Sequence, residues 1–113
     1  MKKILMLGGN FLQMTAIKRA KELGYYVISV DYLPNNPGHK YSDEYHNIST
    51  IDKEAVLKLA REKQIDGILS YASDVSAPTA AYVAEKLNLP LGTVKSRIFF
   101  TRQKLQEELK DFR

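Results

Sequence analysis

The chain has 113 residues, 44% hydrophobic and 27% charged, which is the size and composition of one globular domain rather than a disordered segment. It has no cysteine and only two histidines, His39 and His46, which excludes a disulfide framework, a thiolate zinc site and a cysteine nucleophile, and argues against any structural metal site. The net charge of +4 is concentrated at one end: residues 1–92 hold eleven basic and ten acidic residues, residues 93–113 six and three, so the basicity reads as a solvated helix face and not as a nucleic-acid surface.

Met1, Lys2 and Lys3 mimic the basic flank of a signal peptide, but the apolar run behind them is only Ile4 to Leu7, too short for a signal core. No run approaches the ~20 apolar residues of a membrane span, so a cytoplasmic protein with no membrane partner is expected. Residues 2–7 are apolar on both faces, as a central parallel strand covered on each side by helices must be. Asn10 is placed to cap the following helix, whose inward stripe is expected to be Leu12, Ala16, Ala20 and Leu23, with Gly24 as its stop. Tyr25 to Val30 is β-branched and aromatic, a second strand ending at Asp31. Residues 32–45 contain Pro34, Pro37 and Gly38 and read as a long loop, a length that is often functional. His46 to Ser49 is expected as a short third strand. A helix over 53–63 follows, with Val56, Leu57 and Ala60 inward, and then a fourth strand over 67–71. Pro78 sits in the first turn of the next helix, where its missing N–H costs nothing, and Ala80, Val83, Ala84 and Leu87 repeat at helical spacing. Asn88 to Gly92 reads as a turn or very short strand. Thr101 is placed to cap a last helix striped by Leu105, Leu109 and Phe112.

The alternation of strands and helices predicts an α/β fold: a three-layer, Rossmann-like parallel sheet with helices on both faces. Ligands of such sheets bind beyond the carboxyl ends of the strands. The candidates there are Gly8, Gly9 and Asn10 after the first strand, Asp31 after the second and Asp74 after the fourth. A dinucleotide fingerprint needs G-x-G-x-x-G. From Gly8 the second and third glycines are replaced by Asn10 and Gln13, so the turn is open to two other readings: a tight turn without a ligand, or a loop touching a small anionic or polar substrate. Asp31 lies 23 residues after Gly8, near the spacing of a ribose-binding acid, and reads equally as a turn aspartate. Asp74 suits a ligand amine or hydroxyl, or the organisation of its own loop. His39 and His46 read as surface residues of loop and strand. Of the seven tyrosines, Tyr32, Tyr41, Tyr45 and Tyr71 fall near the ligand edge, most of them as packing. No Ser/His/Asp set, acidic dyad or phosphate-binding lysine loop can be assembled.

Several segments resemble the N-terminal, pre-ATP-grasp domain of ATP-grasp ligases of the carbamoyl-phosphate synthase large-subunit and biotin carboxylase type. They are Lys3 to Asn10 (KILMLGGN), Ala20 to Val27 (AKELGYYV), Val30-Asp31, Asp66 to Ser70 (DGILS), Ser73-Asp74, and Ala84 to Pro90 (AEKLNLP), in that order. Thr101-Arg102 with Leu105 and Leu109 resembles the helix that follows in the family, where the basic residue contacts nucleotide; Arg102 is the matching position. The resemblance implies a domain over 1–92 and a linker and first helix over 93–113 leading into ATP-grasp lobes that lie beyond this sequence. It implies a ligase that uses ATP and Mg in its full-length form, with neither bound tightly by this piece, and no catalytic or metal-binding residue within it. It also implies a small-molecule carboxylate or amine substrate met by Gly8, Gly9, Asn10, Asp31 and Asp74, and it allows a homodimer. Two other classes stay open: a nucleotide- or dinucleotide-binding module of an oxidoreductase or epimerase, and a stand-alone interaction domain.

Overall fold

In the computed structural model of the chain, the structure describes residues 2–71 and 75–94. Five parallel strands form one sheet: β1 (Lys3–Leu7), β2 (Tyr26–Val30), β3 (Glu44–His46), β4 (Gly67–Tyr71) and β5 (Leu91–Val94), in the order β3-β2-β1-β4-β5. The connecting helices are α1 (Phe11–Glu22), α2 (Lys53–Lys63) and α3 (Ala77–Leu87). The fold is the Rossmann-like α/β fold that the alternation predicts.

Parallel strands need crossover connections, and their handedness sorts the helices between the two faces. The chain steps from β1 to β2 to β3 in one direction, then returns past β1 to β4 and β5. Side chains of β1 alternate accordingly. Ile4 and Met6 pack with Ala16, Ile17 and Ala20 of α1, and with Tyr25, Val27 and Leu69. Leu5 and Leu7 pack on the opposite face with Ile28, Val30 and Ile68, under Val56 and Ala60 of α2 and Ala80 and Val83 of α3. This two-sided burial is why β1 carries no polar side chain after Lys3.

Helix α1 opens on a capping box: Asn10 Oδ1 accepts from Leu12 N and Gln13 N, and Gln13 Oε1 accepts from Asn10 N. It closes on Leu23 and on Gly24, whose φ of +89° is the left-handed conformation that stops a helix.

The structure departs from the sequence expectations in four places. The third strand is Glu44–His46, not 46–49. The loop 32–45 contains a 3₁₀ turn, Pro37–Tyr41, packed on α1. Leu91–Val94 is a four-residue strand paired with β4, where a turn or very short strand over 88–92 was expected. The inward stripe of α1 is Gln13, Ala16, Ile17 and Ala20, and Leu12 is exposed. Asp74, Thr101 and Arg102 lie outside the described residues.

Candidate functional site at the carboxyl edge of the sheet

The direction of connection reverses between β1 and β4. At such a switch point neighbouring loops leave in opposite directions and open a crevice. The register of β1 with β4 runs through Met6–Leu69. Beyond it stand Gly8, Gly9 and Asn10 on one side and the end of β4 at Tyr71 on the other.

Gly8, Gly9, Asn10 and Asp31 meet at this edge, as expected, but largely by bonding one another. Gly8 N donates to Val30 O (2.7 Å), Gly9 N to Asp31 Oδ2 (2.9 Å), and Asn10 N to Gln13 Oε1 (3.2 Å). The amides of Leu12, Gln13 and Met14 are taken by Asn10 itself. An anion arriving here would have to displace acceptors that the chain supplies. Asp31 also accepts Asn36 Nδ2 on Oδ2 (2.7 Å) and Leu33 N on Oδ1 (3.0 Å), so its carboxylate organises the following loop.

That loop folds down on the glycine turn. Gly38 N donates to Gly9 O at 2.6 Å. His39 lies beneath it with its side chain only 7% exposed, so it is an interior residue and not the surface residue expected. Its Nδ1 meets Ser29 Oγ (2.8 Å), and its Nε2 lies 3.3 Å from Leu33 O and 4.0 Å from Asp31 Oδ2. The Tyr45 ring packs on the imidazole with centroids 4.0 Å apart, while Tyr45 Oη donates to Asp31 O (2.8 Å). Burial pushes the His39 pKa down, and the nearby Asp31 carboxylate only partly opposes it. Leu33 O can only accept, so a proton on Nε2 suits that contact and leaves Nδ1 to face the Ser29 hydroxyl. His46 stays at the surface, bonded to Glu44 Oε1 at 3.0 Å.

The rim is apolar. Phe11 (72% exposed) and Leu12 open α1, Tyr32 (69% exposed) and Leu33 follow β2, and Val75 follows β4. Tyr32 is thus not a packing residue, whereas Tyr71 is buried. Asn10, which precedes Phe11, is also exposed, with its Oδ1 engaged by the cap. Exposed apolar side chains and an exposed amide after the strand ends suit binding and orienting a small substrate. Among the described residues no three His, Asp or Glu side chains are placed to hold a metal ion. No helix of the described residues is long and apolar enough to cross a membrane.

Sequence reasoning missed Gln13. It is 2% exposed, and its Nε2 donates to Tyr71 O across the switch point at 2.6 Å. The signal was present: positions 13, 16, 17 and 20 fit a helical stripe better than 12, 16, 20 and 23, once a glutamine is admitted to a core position.

No protein-family model matches the chain. In sequence it is similar to formate-dependent phosphoribosylglycinamide formyltransferase of Rhodococcus jostii, 30% identical over 84 residues, covering 74% of this chain and 21% of the relative. The enzyme of the same name from Prochlorococcus marinus is 35% identical over 68 residues, covering 60% of this chain and 17% of the relative. The chain thus spans about a fifth of the length of the curated relatives it matches. Among solved structures it is similar to N5-carboxyaminoimidazole ribonucleotide synthetase from Thermotoga maritima, with a TM-score of 0.64 and 28% identity over 76% of this chain and 23% of that one. The corresponding synthetase from Staphylococcus aureus, complexed with ADP, gives a TM-score of 0.67 at 25% identity over 80% of this chain and 24% of that one. A UDP-glucose 4-epimerase from Thermotoga maritima shares the fold alone, at 15% identity and a TM-score of 0.66 over 80% of this chain and 37% of that one. The chain therefore carries the Rossmann-like α/β fold of the N-terminal domains of ATP-grasp ligases, and the relatives it matches in sequence are ligases of that class.

Proposed function

We propose that this chain is the N-terminal, substrate-side domain of a cytoplasmic ATP-dependent ligase that joins a carboxylate to an amine. The observation that carries the reading is the likeness to a formate-dependent formyltransferase over 84 residues, 74% of this chain, in a chain of this fold. On this reading ATP transfers its terminal phosphoryl group to a carboxylate oxygen and leaves as ADP. The amine then attacks the acyl carbon, phosphate departs, and the proton shed by the nitrogen passes to solvent or to a base. Magnesium, when bound, neutralises the phosphate charge; none of the described residues is assigned to it. The carbamoyl-phosphate synthase-like version, with carboxy phosphate attacked by ammonia, is the one that the motif resemblance favours. Formyl and carboxyamino transfer are those in the relatives' names.

The domain's own part is to bind and orient. Gly8 and Gly9 let the loop and turn close on each other, Asp31 fixes that closure, and Asn10 presents its side chain at the rim. Asp74 is assigned to the same substrate, and Arg102 to a phosphate of the nucleotide, where a guanidinium makes two charge-assisted hydrogen bonds that lysine does not reproduce. ATP-grasp lobes, and in a homodimer a second copy, complete the site.

The experiment is ADP release by the protein from the complete reading frame, supplied with ATP and with formate or bicarbonate, with and without ammonia or an amine ribonucleotide. Release that depends on the carboxylate is expected, while the 113-residue chain alone turns over no ATP. Absence of carboxylate-dependent ADP release from the complete protein, above a mock preparation, overturns the reading.

A further inference from the structure

Gln13 is a fully buried amide in a helix stripe otherwise made of Ala16, Ile17 and Ala20. Burying an amide is costly unless both its ends are bonded, and here both are. Nε2 donates to Tyr71 O at 2.6 Å, and Oε1 accepts from Asn10 N at 3.2 Å. The same side chain lies against Gly8, where an added Cβ would stand 3.0 Å from Gln13 Oε1 and 3.1 Å from its amide carbon. In a dinucleotide-binding turn this position is a glycine, which lets the helix approach the sheet closely. Here a long polar side chain fills the gap and ties its two walls together.

We propose that Gln13 is a positioning residue, an amide strut that sets the span between the Gly8–Asn10 turn and the end of β4 and so shapes the mouth that receives the substrate. This rests on the reading that the carboxyl edge binds substrate. One end of the strut fixes Asn10, the polar group of the rim. The other fixes the carbonyl of Tyr71, the last residue of β4, from which the chain enters the segment that contains Asp74. A packing role needs only volume, and methionine would supply it. The strut needs a donor and an acceptor at once, which an amide has and methionine lacks.

The test has two arms. In the 113-residue chain, amide hydrogen exchange is compared between wild type and Gln13→Met. The Asn10 amide is expected to exchange at least tenfold faster in the variant, while the Gly9 amide, held by Asp31, and the β1 amides keep their rates. An unchanged Asn10 rate overturns the strut. If Gln13→Met does not fold, Gln13→Glu serves, at a pH high enough to ionise it: it then keeps an acceptor for Asn10 N and has no donor for Tyr71 O. It should keep Asn10 protected while amides at the end of β4 exchange faster, and unchanged β4 rates overturn the strut. In the complete protein, the strut variant is expected to raise the acceptor KM at least tenfold with kcat and the ATP KM unchanged. Val83→Ala, in the core of the opposite face, should lower thermal stability without moving that KM. An unchanged acceptor KM in the strut variant overturns the substrate role. Inactivity of the wild-type protein overturns the ligase reading instead, and the exchange arm still judges the strut.

Discussion

Gly9 and Gly38 face each other with no room between them for a methyl group. A Cβ on Gly9 would lie 2.2 Å from His39 Cε1, and one on Gly38 would lie 2.6 Å from Gly9 O. The first obstacle is a side chain that can be removed, and the second is backbone. Gly9→Ala should therefore destabilise the chain by about 1–3 kcal/mol, the usual cost of overpacking. In the background of His39→Ala most of that penalty should vanish. A double-mutant cycle of urea unfolding measures it, and additive single effects would show that the imidazole is not what excludes the methyl. Glycine at position 9 reads in the sequence as room for a ligand. In the structure the room is used by His39 and by the chain at Gly38, which lie 30 and 29 residues away along the sequence.

At the level of elements, β3 is three residues long, lies at the edge of the sheet and has no fully buried residue. What fixes it is Glu44. Tyr26 Oη donates to its Oε2 at 2.5 Å, and Lys63 Nζ and His46 Nε2 lie 2.9 Å and 3.0 Å from its Oε1. The Tyr26 hydroxyl above all, then His46 and Lys63, hold the Glu44 carboxyl down to about 2, against 4.5 ordinarily. Between those values the unfolded chain is protonated and the folded one is not. The stabilisation from Glu44 is thus complete above about pH 4.5 and is lost as the pH falls toward 2. Glu44→Gln should flatten the acid limb of stability between pH 5 and 2.5 in thermal or urea unfolding; identical limbs would remove Glu44 from the account. The helix ends supply a change of opposite sign. Gln64 and Asn88 close α2 and α3 in the left-handed conformation, both at φ 54°. Asparagine adopts that region more readily than glutamine. Gln64 is exposed, so Gln64→Gly should raise stability by about 0.5–1 kcal/mol, visible as a higher Tm, whereas Asn88→Gly should give less.

For the whole molecule, the sequence was most legible where pattern and burial coincide. The two-faced run Ile4 to Leu7, the helix 53–63 and the Pro78 helix were placed from residue types alone, and with them the parallel sheet. Short strands were less legible because their partners define them. Glu44–His46 is polar and is drawn to β2 partly by Asp43, whose N donates to Val27 O (2.8 Å) and whose carboxylate accepts Val27 N (2.7 Å). At the site, the residues Gly8, Gly9, Asn10 and Asp31 were legible as a group, since all follow strand ends. Their mutual bonds were not, because nothing in a glycine or an aspartate declares which partner it takes. Gln13 and His39 were hidden for the same reason: their partners, Tyr71 and Ser29, stand 58 and 10 residues away.

The strand order has a consequence for how the chain is made. β1 is synthesised first and ends in the centre of the sheet, between β2 and β4. β2 is available after about thirty residues, but β4 begins only at Gly67. At ribosomal speeds of about 5–20 residues per second, the interval between completing β2 and completing β4 is about 2–8 s. Throughout it, one side of Ile4–Leu7 has no strand to pair with, and Leu5 and Leu7 lack the cover of α3. An apolar strand edge left open for seconds is a template for pairing with another chain. The newborn protein's exposure to aggregation is therefore set by the distance from β2 to β4, and that is the stretch occupied by the loop on the glycine turn, by β3 and by α2.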